Sequence, residues 1–235
     1  MLEANVQCKG PISMLAECLM ALPSGLKPTH FSVDEMPFSK ARKLESNEGY
    51  EDLSREYPSG FFLIGKGVQY DVECDNDSAS CFATLSVDAD EAKLFLSLLS
   101  QTNPSFGYVC DPAERIRRNR LIKHFGDRRI EAWVGRDLKK YVPGLYWLTV
   151  MSDSFMATHN VSPVALTNAS WEHASPTRHS HIFQFYEKPE DWAASTRVEA
   201  VIRSSPGIFN IDAIRSDFDQ VQTRSDISTV LHCWR

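Results

Sequence analysis

The stretch GFFLIGKGVQYDVECDNDSASCFATLSVDADEAKLFLSLL, residues 60–99, carries three strand signals and then one helix signal. Gly60 to Gly65 and Val68 to Cys74 flank the turn Gly65-Lys66-Gly67, so the pair predicts a β-hairpin. Ala79 to Val87 reads as a further strand. Asp88 opens a helix: Asp88 with Glu91 has the form of a capping box, and both acids suit the positive end of the helix dipole. Leu94, Phe95, Leu98 and Leu99 recur at helical spacing and predict one buried face. Strands joined first by tight turns and then by a helix, without strict β-α-β alternation, predict an α+β domain. Its form is a largely antiparallel mixed sheet with helices packed on one side.

Working outward, Pro11 to Leu22 predicts a helix and Thr29 to Asp34 a half-buried strand. Residues 37–59 read as a long polar loop with a short helical turn. Phe106 to Cys110 predicts a short strand. Asp111-Pro112 starts a helix that Gly126 ends, with Arg115, Arg117, Arg118, Arg120 and Lys123 on its exposed side. A strand is expected at Glu131 to Val134 and a short helix at Arg136 to Tyr141. Leu145 to Met151 is apolar on both faces, as a central strand is. Ser152 caps a helix to Asn160, His181 to Tyr186 is a strand, Pro189 opens a helix, and Val230 to Trp234 forms an edge strand. The strand-helix-strand block over 79–110 recurs over 144–186, the pattern expected of two related half-domains sharing one sheet. Residue identity is too low to establish a repeat, and a single domain over 1–235 is the expectation.

The 235 residues are 43 % hydrophobic and 24 % charged, the composition of an ordinary globular chain. Nothing approaches the ~18 uninterrupted apolar residues that a spanning helix needs. Met1-Leu2-Glu3 lacks the basic start of an export signal, so a cytoplasmic protein is expected. The cysteines at 8, 18, 74, 81, 110 and 233 include no Cys-x-x-Cys pair, which predicts buried free thiols.

The net charge of −6 conceals an asymmetry: +1 over residues 1–44, −10 over 45–91, +6 over 92–150 and −3 over 151–235. The acidic segment holds Glu51, Asp52, Glu56, Asp71, Glu73, Asp75 and Asp77. Such a density of like charge repels itself unless bases elsewhere, or a partner, offset it. It is either a solvated face neutralised by the basic helix or a docking surface for a basic partner. The bases of 92–150 are diluted by acids and no aromatic-basic motif accompanies them, so direct nucleic-acid binding is not expected.

Few stretches carry recognisable chemistry. Gly60 to Lys66 spells G-x-x-x-x-G-K, but Gly67 stands where a magnesium-binding hydroxyl belongs and a strand follows instead of a helix. Asp71-x-Glu73-x-Asp75-x-Asp77 alternates carboxylates, yet Asn76 and Phe82 occupy the positions where a calcium loop needs Gly and Glu. His173, His179 and His181 could form a zinc site, since His179 and His181 share a strand face. That alternative makes the chain a small metal-dependent hydrolase. No G-x-S-x-G is present, and His232 and Cys233, adjacent on a strand, point to opposite faces. No cofactor is called for.

Pro143-Gly144-Leu145-Tyr146-Trp147-Leu148-Thr149-Val150 resembles the central strand of bacterial immunity proteins of polymorphic and type VI secretion toxin systems. The order of a strand at Cys81 to Val87, a helix at Asp88 to Leu99, and Gly107-Tyr108-Val109 before a charged helix is also similar to theirs. The nearest is the immunity protein 52 family, and the likeness covers roughly residues 60–190. The resemblance implies a non-enzymatic cytoplasmic protein, an antitoxin that binds and neutralises a cognate toxin. For that family the toxin is often a nuclease effector. On this reading Glu51, Asp52, Glu56, Asp71, Glu73, Asp75 and Asp77 supply electrostatic contacts. Tyr50, Tyr57 and Tyr70, interleaved among them, are the expected aromatic anchors.

Overall fold

A computed structural model describes residues 1–33, 41–44, 49–75, 78–125 and 127–221. In chain order the elements are β1 (Leu2–Lys9), α1 (Ile12–Met20), β2 (Pro28–Ser32), β3 (Arg42–Lys43), α2 (Gly49–Glu56), β4 (Gly60–Gly65), β5 (Val68–Asp75) and β6 (Ser78–Leu85). There follow α3 (Ala89–Leu99), β7 (Pro104–Cys110), α4 (Pro112–Asn119), β8 (Arg120–Phe125), β9 (Arg128–Trp133), β10 (Leu148–Ser152), α5 (Asp153–Thr158) and α6 (Pro163–Ala169). The chain continues through β11 (Glu172–Thr177), β12 (Ser180–Gln184), α7 (Thr196–Ser204) and α8 (Ile211–Gln220).

Ten strands form one antiparallel sheet in the order β11-β12-β10-β7-β1-β6-β5-β4-β2-β3, while β8 and β9 pair separately. The fold is α+β, as the hairpin and helix of residues 60–99 predict. The caps read from the sequence are formed: Asp88 accepts from the Glu91 N–H at 2.9 Å, Asp111 from Ala113 at 2.7 Å and Ser152 from Phe155 at 3.2 Å. Leu94, expected on the buried face of α3, is 44 % exposed; Ala92, Phe95, Leu96 and Leu99 make that face instead.

The strand at the centre of the sheet was not among the expected elements. β1 pairs with β6 on one side, Leu2 opposite Leu85 through Lys9 opposite Ser78, and with β7 on the other. Its Leu2, Ala4, Val6 and Cys8 are buried under α1 and α3, while Glu3, Asn5 and Gln7 point to the other side. This two-residue period is strand geometry.

Other expectations are corrected. The helix opened by Asp111 ends at Asn119, not near 126 (a position outside the described residues), because Arg120–Phe125 turns into a strand paired with β9. Leu121 and Ala132 of that hairpin join Phe209, Ile214 and Phe218 in a second, smaller core. Residues 136–141 form turns without a helix. Regular pairing in β10 begins at Leu148, although Leu145, Tyr146 and Trp147 are buried as expected. Pro189 opens a 3-10 turn over Pro189–Ala194, and the α-helix begins afresh at Thr196. The edge strand expected at Val230 to Trp234 lies outside the described residues. Cys8, Cys18, Cys74, Cys81 and Cys110 are free thiols; burial raises the Cys81 and Cys110 pKa well above the ordinary range, so both stay protonated.

Candidate functional site

The alternation of the central strands decides what each face of the sheet presents. On β5, Tyr70 and Val72 point into the core, so Asp71 and Glu73 must point to the far side. On β6 the same rule sends Ser80 and Phe82 outward, and on β1 Asn5 and Gln7. This far face is overhung at one end by α4 and the β8–β9 hairpin. Beneath the overhang lie two adjoining hollows of about 310 and 360 Å³. Both are lined by Asn5, Gln7, Arg115, Trp133 and Arg136. The first is walled by Phe106, Tyr108 and Tyr146; the second opens onto Asp71, Glu73 and Ser80.

Arg115 is the fixed point of this site. Its guanidinium carbon lies 4.2 Å from the centre of the Trp133 ring and 5.1 Å from that of Phe82. Its Nε donates to Glu3 at 2.5 Å. The charge of Arg115 is therefore neutralised within the fold. Arg136 forms no ion pair among the described residues; its guanidinium carbon stands 5.9 Å from the Trp133 ring centre. The groove thus presents carboxylates at one end and aromatic rings at the other, with guanidinium groups, the Trp133 ring and amides between them.

The expected contact residues divide between two surfaces. Asp71 and Glu73 border the groove. Asp52 and Glu56 are exposed on α2, which packs on α1 behind the sheet, and Arg55 pairs with Asp52 there. Tyr57 is half-buried beside Glu56, to which its hydroxyl donates at 2.7 Å. Tyr50 and Glu51 fall on α2, Asp75 ends β5, and Asp77 lies outside the described residues. Tyr70 cannot be an exposed anchor: it is fully buried, stacks on Phe95 and donates to the Leu26 carbonyl at 2.7 Å. The acidic segment is consequently not one patch, because α2 lies behind the sheet while Asp71 and Glu73 share its far face.

The expected zinc ligands do converge, but on one another. His173 Nε2 lies 3.1 Å from His181 Nδ1, and the rings stack with centres 5.4 Å apart. Asp153 accepts from His181 Nε2 at 2.9 Å and from His179 Nδ1 at 3.3 Å. Ser175 Oγ lies 3.1 Å from His181 Nδ1. The hydrogen bond from His181, with that from His179, holds the Asp153 carboxyl below its ordinary pKa. Among the described residues no group of three or more His, Cys, Asp or Glu is disposed to hold a metal ion. Sequence reasoning missed Asp153, which β10 and the cap of α5 bring to the histidines from about two dozen residues upstream.

Behind the groove lies a buried polar network, also unforeseen. Glu114 of α4 is fully buried and accepts from Arg118 Nε at 3.1 Å, the Tyr186 hydroxyl at 3.0 Å and the Trp147 backbone N–H at 3.1 Å. Arg118, expected on an exposed helix face, is 7 % exposed and also reaches Glu199 at 3.0 Å. Burial raises the Glu114 carboxyl to about 7, against the pull of Arg118 and the other donors. Asn119 donates to the Val134 and Pro143 carbonyls and accepts from Tyr146. This network fastens α4, and with it Arg115, over the sheet.

No helix among the described residues is long and apolar enough to cross a membrane. No family model, curated protein or solved structure matches this chain.

Proposed function

We propose that this chain is an immunity protein that binds and neutralises a cognate bacterial toxin in the cytoplasm, without catalysis, by direct protein–protein contact. The toxin on this reading is a nuclease effector of a type VI or polymorphic system. The observation that carries the proposal is the groove on the far face of the sheet. Asp71 and Glu73 at its rim complement the basic surface with which a nuclease holds its substrate. Trp133 and Phe82 beside them are the residue types that dominate interface energy. The likeness of Pro143 to Val150 to immunity proteins supports the same reading.

The test begins with the tagged protein purified from its native cell and its partners identified by mass spectrometry. One stoichiometric partner with a nuclease-like domain is expected. Reversing Asp71 and Glu73 to Lys is then expected to weaken that complex at least tenfold (about 1.4 kcal/mol) and to flatten its salt dependence. Reversing Asp52 and Glu56 is expected to leave Kd within twofold. Recovery of the protein alone at low salt refutes the binder reading. Equal effects from the two charge reversals refute the groove as its interface.

A further inference from the structure

The cluster on β11 and β12 has an arrangement that toxin binding does not use. Ser175 Oγ is 3.1 Å from His181 Nδ1, and the opposite ring nitrogen of His181 is 2.9 Å from Asp153 Oδ1. A carboxylate can only accept, so the proton of the neutral imidazole sits on Nε2 and the lone pair on Nδ1, where Ser175 Oγ and His173 Nε2 both lie at 3.1 Å. We propose that Ser175, His181 and Asp153 form a nucleophile, general base and positioning carboxylate that take an acyl group from activated esters.

Four features of the fold support this assignment. Ser175 is exposed on a strand at the edge of the sheet. The register of β11 against β12 shifts between Ala174 and Thr177, so the serine lies in an irregularity of the kind that re-aims side chains. His181 is held on two sides: its ring stacks on His173, and the side chain is 19 % exposed. Burial and the neighbouring His181 lower the pKa of His173, so at neutral pH it is an uncharged neighbour that does not oppose a proton on His181. The second oxygen of Asp153 is fixed by His179. The acidic rim of the groove on β5 is five strands from β12, about 24 Å at roughly 4.8 Å per strand, while its aromatic wall on β7 is two strands away.

The chemistry follows from these positions. Ser175 Oγ attacks the carbonyl carbon while its proton passes to His181 Nδ1. The ester C–O bond breaks, and the leaving oxygen takes that proton. Water then attacks the acyl-serine, gives its proton to Nδ1, and releases the carboxylic acid and the free serine. Asp153 stabilises the imidazolium in both halves. Pro176 follows the nucleophile and has no N–H, so the oxyanion donor often supplied by the next residue is missing. That restricts the substrate to esters with good leaving groups, such as aryl esters, and excludes amides.

The experiment treats the full chain with p-nitrophenyl acetate. A burst of p-nitrophenolate and one acetyl group on the peptide containing Ser175 are expected. Ser175→Ala, exposed and therefore tolerated by the fold, is expected to lose both. His181→Gln is expected to slow acylation by about 10²-fold or more. Asp153→Asn is expected to slow it too, and to remove the Nε2–H tautomer of His181 from the imidazole nitrogen NMR shifts. An acetyl group found only on a histidine or lysine, or an undiminished burst from Ser175→Ala, overturns the proposal. Neither result bears on toxin binding.

Discussion

Glu114→Ala is expected to destabilise the protein by about 3–5 kcal/mol, the cost of breaking a buried ion pair from one side. The substitution leaves the Arg118 guanidinium, 8 % exposed, with only Glu199 and Tyr186 as partners. It also strands the Trp147 N–H and removes the acceptor of the Tyr186 hydroxyl. Urea denaturation of the two proteins measures the difference, and a loss under 1 kcal/mol would mean that the network contributes little. The conservative Glu114→Gln separates charge from shape. In the folded protein burial raises this carboxyl to about 7, above its ordinary value near 4.5. The folded state therefore holds a proton that the unfolded state has released between those values, and stability falls as pH rises through that window. The wild type is expected to lose its advantage over Glu114→Gln between pH 5 and pH 8. A gap that widens with pH would contradict the raised pKa.

Trp147→Ala is the second large effect, again about 3–5 kcal/mol. At about 2–4 °C per kcal/mol for a chain of this size, the melting temperature is expected to fall by roughly 6–20 °C. Trp147 has the largest fully buried side chain of the core. Its indole N–H donates to the Tyr186 carbonyl at 3.2 Å, and its own carbonyl accepts from Phe185 at 2.8 Å. Deletion thus opens a cavity and leaves the Tyr186 carbonyl with Gln184 Nε2, at 2.7 Å, in place of two donors. Trp147→Phe keeps most of the volume and is expected to cost clearly less. Comparable losses for the two variants would assign the effect to the hydrogen bond and not to packing.

The parts of the fold that could be read in advance are those where one signal acts alone. The hairpin of Gly60 to Cys74 has its turn glycines, and α3, α4 and α5 have their capping residues. β1 has a period of two just as regular, but Ala4 and Cys8 are small and Asn5 and Gln7 are weak strand formers. Its pattern is visible mainly once β6 and β7 are seen on either side. The helix read past Asn119 failed because Leu121 and Ile122 suit either period, and the partner strand that decided between them lay beyond the next turn. The groove was half legible. Asp71 and Glu73 were chosen for their charge, but Trp133, Arg136 and Asn5 come from elements that only tertiary contact brings there. The environment of Glu114 and Arg118 was not legible at all, since burial of charge depends on what packs above a helix and not on its own sequence.

The position of β1 has a consequence for the order in which the molecule can assemble. This strand is synthesised before both of its neighbours, which end at Leu85 and Cys110. Until residue 110 has left the ribosome, the strand at the middle of the sheet lacks one flank, with the Glu3–Gln7 edge unsatisfied. The strands from β6 to β3 can pair as a local meander, whereas the side made of β7, β10, β12 and β11 has nothing to join until β1 links the two. The N-terminal strand is therefore the keystone of the sheet, set early in the chain and locked late in time.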